Sequence, residues 1–195
     1  SQGSSSVAVG NYAGNDTQGN SAVAVGDQAG RTTQGTGSVA VGVSAGSTTQ
    51  GTNSVALGNT AGQTRQLAQA VAVGYLAGNT DQGNNSVAIG RETGRTSQGN
   101  NSLAVGRLAG KTSQGDNGII LNSSGVALDD TTNGHIHIAS DDGSIDFTSA
   151  GGWTATDSVG TFNLRGADAA QVGSVEQRRR DGVGPVPGVG SRAGG

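Results

Sequence analysis

The chain has 195 residues, 37 of them glycine, with a net charge of −3, 3% aromatic residues and neither cysteine nor methionine. Glycine at this density favours tight turns over helices, and the scarcity of large side chains excludes a single thick core. Without cysteine there is no disulfide framework and no thiolate nucleophile or metal site. Residues 1–118 carry six Lys/Arg and five Asp/Glu, and residues 119–195 carry five and nine. No basic stripe with interleaved aromatics points to nucleic acid, and no apolar run is long enough for membrane insertion.

From residue 7 to residue 118 a sixteen-residue phrase recurs seven times without a register slip. A fixed period this short means stacked coils, each burying its face against the next. One apolar phase holds Val7, Val23, Val39, Val55, Val71, Val87 and Leu103; a second holds Val9, Val25, Val41, Leu57, Val73, Ile89 and Val105. Ala recurs between them from Ala8 to Ala104. Period-two alternation makes each triplet a short strand whose Val pair and Ala face opposite ways. The expectation is that the Val pair fills the coil and the Ala column forms an outer seam. Corners are expected at the strand-ending glycines such as Gly10 and Gly26, at Ala13-Gly14 and its equivalents, and at Gln18-Gly19 and its equivalents. With strands about 4.8 Å apart, the repeats span roughly 30 to 35 Å.

Gln18, Gln34, Gln50, Gln66, Gln82, Gln98 and Gln114 share one phase. Stacked amides form a structural ladder that satisfies backbone groups in the turns. Thr32, Thr48, Thr64, Thr80, Thr96 and Thr112 form a column expected on the outside. The fourth repeat puts Leu67 where the others have Gly. If that Gly sits at positive φ, Leu67 must distort the corner. A coil this thin leaves its Ala seam uncovered, and rotationally symmetric association of identical chains would bury that seam in every rung at once.

Asn85-Ser86-Val87-Ala88-Ile89-Gly90 resembles the head repeat of trimeric autotransporter adhesins. The longer pattern, with its Ala-Gly and Gln-Gly corners and the following Gly118-Ile119-Ile120-Leu121-Asn122-Ser123-Ser124-Gly125-Val126-Ala127-Leu128, resembles fibre and surface attachment proteins of large algal viruses and some phages. The resemblance implies an all-β fold: a parallel β-roll or solenoid of sixteen-residue rungs in a homotrimer. It implies a structural, non-enzymatic role in host attachment, at the virion surface or outside the cell. The partners it implies are two further copies of the chain and a host cell-surface polysaccharide or glycoconjugate.

Residues 1–121 are expected to form the roll, ending where Ile120 replaces the recurrent Ala and Asn122 the strand-ending Gly. Residues 122–165 alternate as a smaller β-region, also trimeric, forming a tip or neck; residues 166–195 are a low-complexity, poorly structured tail. In a strand, His135 and His137 face one side, and three chains around an axis would bring six imidazoles together, enough for a divalent transition metal. The alternative is an exposed His pair with Ile136 and Ile138 in the core. Asp141, Asp142, Ser144 and Asp146 read as a polar hairpin, with calcium ligation the alternative. Trp153 can stack on a sugar or pack at the trimer end. A second functional class is a glycan- or ice-binding array on the Thr column, although Arg31, Arg95 and Lys111 beside it suit ice poorly. No Gly-x-Ser-x-Gly elbow, paired-carboxylate pocket or phosphate loop suggests catalysis.

Overall fold

The computed structural model describes residues 1–141 in full and residues 143–147 and 153–157 through their backbone. The chain divides after Gly160, and all described residues belong to the first unit, Ser1–Gly160. The tail 166–195 lies outside the described residues.

The strands are β1 (Val7–Val9), β2 (Thr17–Gln18), β3 (Val23–Val25), β4 (Thr33–Gln34), β5 (Val39–Val41), β6 (Thr49–Gln50), β7 (Val55–Leu57), β8 (Val71–Val73) and β9 (Val87–Ile89). They continue as β10 (Ser97–Gln98), β11 (Leu103–Val105), β12 (Ala109–Gln114), β13 (Ile119–Asn122), β14 (Leu128–Asp130), β15 (Ile136–Ser140), β16 (Gly143–Phe147) and β17 (Trp153–Asp157). The result is an all-β parallel solenoid of about eight turns. The Val-Ala-Val strands stack into one eleven-stranded sheet, in the order β1-β3-β5-β7-β8-β9-β11-β13-β15-β16-β17. Register follows the repeat, with Val7 opposite Val23 and Ala8 opposite Ala24. The opposite wall is formed by β2-β4-β6 and β10-β12-β14.

The facing of the strands reverses the sequence expectation. Ala24, Ala40, Ala56, Ala72, Ala88 and Ala104 are fully buried inside the coils. The flanking Val, Leu and Ile side chains point outward, and Val7, Val9, Leu57 and Ile89 are 41–56% exposed. The Ala column is therefore the core, and the outer seam is β-branched. The width of the coil explains why. Each Gln Nε2 reaches across the interior and donates to the carbonyl of Val7, Val23, Val39, Val55, Val71, Val87 or Leu103 at 2.7–2.9 Å. Two walls separated by one glutamine leave room for a methyl group beside the amide, and not for two branched side chains.

Glycine is required at the corners for two reasons. Gly58 has φ 132°, and a Cβ there would lie 2.6 Å from the carbonyl oxygen of Gly74 in the next coil. Gly14 and its equivalents Gly30, Gly46, Gly62, Gly78 and Gly94 pass directly under the glutamine amides, where a Cβ would lie 2.4–2.8 Å from an amide atom. The third corner falls beyond the expected Gln-Gly, at a left-handed residue two positions on: Ser21, Asn53, Asn85, Asn101 and Asn117 have φ of 52–57°.

The irregularity expected at Leu67 is present, with a different cause. Its equivalents Gly19, Gly35, Gly51, Gly83 and Gly99 are not among the positive-φ residues. They are glycines because the next coil's backbone crosses within 2.4–2.6 Å of where a Cβ would sit. Around Leu67 the second wall thins to isolated bridges, Gln50 to Gln66, Gln66 to Gln82 and Gln82 to Gln98.

Parallel stacking also runs past Asn122. β13 pairs in parallel with β15, with Ile120 opposite His137 and Asn122 opposite Ala139. Ile120 is 1% exposed, so the roll admits one larger interior residue near its end. Only after Ser140 does the sheet turn antiparallel, with β15 against β16 and β16 against β17.

Ala72→Val is expected to lower stability by about 1–3 kcal/mol through overpacking. Urea unfolding tests this; an unchanged midpoint would return the Ala column to the outside.

Candidate assembly face and terminal histidine cluster

Two outward columns run side by side along the large sheet. One extends from Val7 through Val87 and Leu103 to Ile119 and Ile136; the other from Val9 through Ile89 and Val105 to Leu121 and Ile138. Nine parallel strands at about 4.8 Å make this apolar stripe about 38 Å long. Soluble monomers rarely leave so large a contiguous apolar surface uncovered.

The glutamines predicted as a ladder are buried and act chiefly as struts across the coil. Donation along the stack occurs from Gln66 to Gln82 at 3.1 Å and from Gln98 to Gln114 at 3.2 Å. Ser38, Ser54, Ser86 and Ser102 donate their hydroxyls to the carbonyl three residues earlier at 2.6–2.7 Å. The interior of an ordinary coil is therefore a Gln, a Ser and Ala methyls.

The last coil fills these same phases differently. Asp130 pairs with Gln114, His137 stands opposite Ile120 at the Ala phase, and His135 precedes it at the phase of Ser102 and Gly118. Asp130, His135 and His137 side chains are 11%, 15% and 16% exposed. Nδ1 of His135 contacts Oδ2 of Asp130, and Nδ1 of His137 lies 3.7 Å from the same oxygen. The ring centroids are 6.1 Å apart. Nε2 of His135 is buried without a hydrogen-bond partner.

Within the single chain, His135 and His137, expected at a three-fold axis, stand beside Asp130. Both imidazoles turn into their own coil toward Asp130, and Ile136 and Ile138 join the outward stripe. Among the described residues no group of three or more His, Cys, Asp or Glu side chains is arranged to hold a metal ion. Asp130, which together with Asp129 reads in the sequence as a solvated turn, is the member that was missed. Its signal was its position sixteen residues after Gln114.

Of the remaining expected sites, Trp153 belongs to β17 by its backbone, and its side chain lies outside the described residues. Asp142 also lies outside them, while Ser140 stands opposite Gly143 where the chain turns back. The Thr column is outward, with Thr48, Thr64, Thr96 and Thr112 exposed. The neighbouring column of β2, β4 and β6, Thr17, Thr33 and Thr49, gives way to Arg65 and Asp81, paired at 2.5 Å. The chain matches no protein-family model, no curated protein and no solved structure.

Gln82→Leu removes the donor to Val71 and the acceptor for Gln66, and is expected to cost about 1–3 kcal/mol. Asp130→Ala strips the histidines of their shared carboxylate and is expected to cost about 1.5–3 kcal/mol. Thermal unfolding of each variant by circular dichroism checks both, and wild-type midpoints would show that neither group supports its coil.

Proposed function

We propose that the chain is a non-enzymatic structural and attachment segment of a viral fibre or surface adhesin, acting at the virion surface or outside the cell. Three copies associate through the apolar stripe, and the trimer presents a binding tip to a host-surface polysaccharide. The stripe is the observation that carries this reading. Identical chains with identical spacing can cover it rung against rung, so one favourable contact repeats along its whole length. The choice of three copies rests on the resemblance of the repeat to trimeric adhesin and fibre proteins. In this reading the antiparallel β15–β17 extension belongs to the tip, and Trp153 is its sugar-stacking residue. His135 and His137 serve as a structural end of the roll, paired with Asp130 in place of the axial metal.

The outward threonines support a second reading, a glycan- or ice-binding array. Regular Thr pairs at Thr32-Thr33 and Thr48-Thr49 favour it, and the Arg65–Asp81 ion pair limits it to the first coils.

Native mass spectrometry of the full chain is expected to give a trimer, and Val41→Asp with Val73→Asp a folded monomer. A wild-type monomer at micromolar concentration would overturn the assembly.

A further inference from the structure

Beyond the corner at Gly90, off the apolar stripe, the fifth to seventh coils gather most of the positive charge of the repeats. Tyr75, Arg91 and Arg107 occupy one phase, stacked through hydrogen bonds from Glu92 N to Tyr75 O at 2.8 Å and from Leu108 N to Arg91 O at 3.1 Å. Arg95 and Lys111 occupy a neighbouring phase, joined by Thr96 N to Lys111 O at 3.1 Å. One carboxylate stands among them: Glu92 meets Arg91 at 3.1 Å, Arg95 at 3.2 Å and Lys111 at 3.4 Å. The guanidinium of Arg91 lies 5.9 Å from the centre of the Tyr75 ring, which is 48% exposed. Arg107 is exposed and donates to the Gly125 carbonyl at 2.7 Å. Four cations face one anion, so the patch keeps a surplus of positive charge.

Burial pushes the Glu92 carboxyl up, but Lys111, Arg91 and Arg95 outweigh it and hold it below the ordinary carboxylate value. Glu92 is only 12% exposed and sits at φ 56°. It holds the cations in place and leaves the outer edges of Arg91 and Arg95, 56% and 41% exposed, open to solvent.

We propose that this patch binds an acidic polysaccharide, with the guanidinium groups of Arg91 and Arg107 taking carboxylate or sulfate and the Tyr75 ring taking the apolar face of an adjoining sugar. Guanidinium matches both anions bidentately. An aromatic ring one coil away, about 4.8 Å, gives a platform that a point-charge ligand would not use. The height of the patch argues against duplex nucleic acid, whose charges recur every 1.7 Å or so along a long track. Such a track would soon meet acidic groups: Asp81 paired with Arg65 on one side, and on the other Asp129, which accepts from Thr112 N and Ser113 N. A glycan with one acid per sugar, or one per two sugars, fits two to three coils.

The inference rests on the attachment reading and moves one contact from the tip to the flank of the roll. Titration of the full chain with polygalacturonate and with dextran sulfate, followed calorimetrically, tests it. Arg91→Gln with Arg107→Gln is expected to weaken binding about tenfold or more, Tyr75→Ala severalfold, and Glu92→Gln to strengthen it severalfold. Arg31→Gln on the second coil should change nothing, and unfolding midpoints show that each variant is folded. Added salt should weaken the wild type steeply. Equal binding of neutral dextran, tighter binding of duplex DNA or anionic vesicles, or wild-type affinity in the double Arg variant would each overturn the patch. In that last case the protein still attaches to polysaccharide and only the location fails; trimer formation reports separately on the attachment reading.

Discussion

The reach of one glutamine side chain across a coil governs the fold. Its amide nitrogen ties the short wall to the carbonyl of the long wall in every one of the seven repeats, at 2.7–2.9 Å. This fixes the wall separation, and the separation selects Ala for the inner strand position and Gly beneath the amide. A branched side chain at the Ala phase of an ordinary coil would crowd this tie and pull the buried amide N–H off its carbonyl, a loss comparable to the whole contribution of a typical hydrogen bond.

With the interior this narrow, the larger aliphatic side chains have nowhere to go but out. Thin coils thus produce the apolar stripe as a geometric by-product, and covering it is what the proposed association of copies would accomplish. The corners have a different freedom. Tyr12, Gln28, Ser44, Thr60, Leu76, Glu92 and Leu108 occupy one left-handed position with φ of 53–63°, where chemically unrelated side chains are all accepted. The scaffold fixes their backbone and leaves most of the outward chemistry free, which is how a single coil type carries both Tyr75 and the Arg91–Glu92 pair.

Much of this was legible in the sequence. The period, the three-residue strands, the corners at the strand-ending glycines and at Ala-Gly, and the shared phase of the glutamines all follow from counting residues, whereas the third corner lies two residues past the expected Gln-Gly. The facing of the strands was not legible, because alternation says that Val and Ala lie on opposite sides without saying which side is inner. Hydrophobicity favoured Val; the available volume chose Ala. Leu67 shows the same kind of limit: a break in the pattern marked the place, but the reason was the neighbouring coil's backbone and not the sign of φ. The terminal cluster was half visible. His135 and His137 stood out as a pair, while Asp130 was concealed by its resemblance to an ordinary turn residue, although it continues the glutamine phase.

The final coil differs in one more respect. Each earlier coil advances by sixteen residues, whereas Ile119 pairs with Ile136, an advance of seventeen. Removing or adding one whole repeat upstream would therefore shift the length by one strand spacing with every column still aligned. The odd residue before β15 has no such equivalent. It sets the last coil apart from the sixteen-residue units ahead of it, so adding or deleting whole units would change the reach of the roll and leave this coil unaltered.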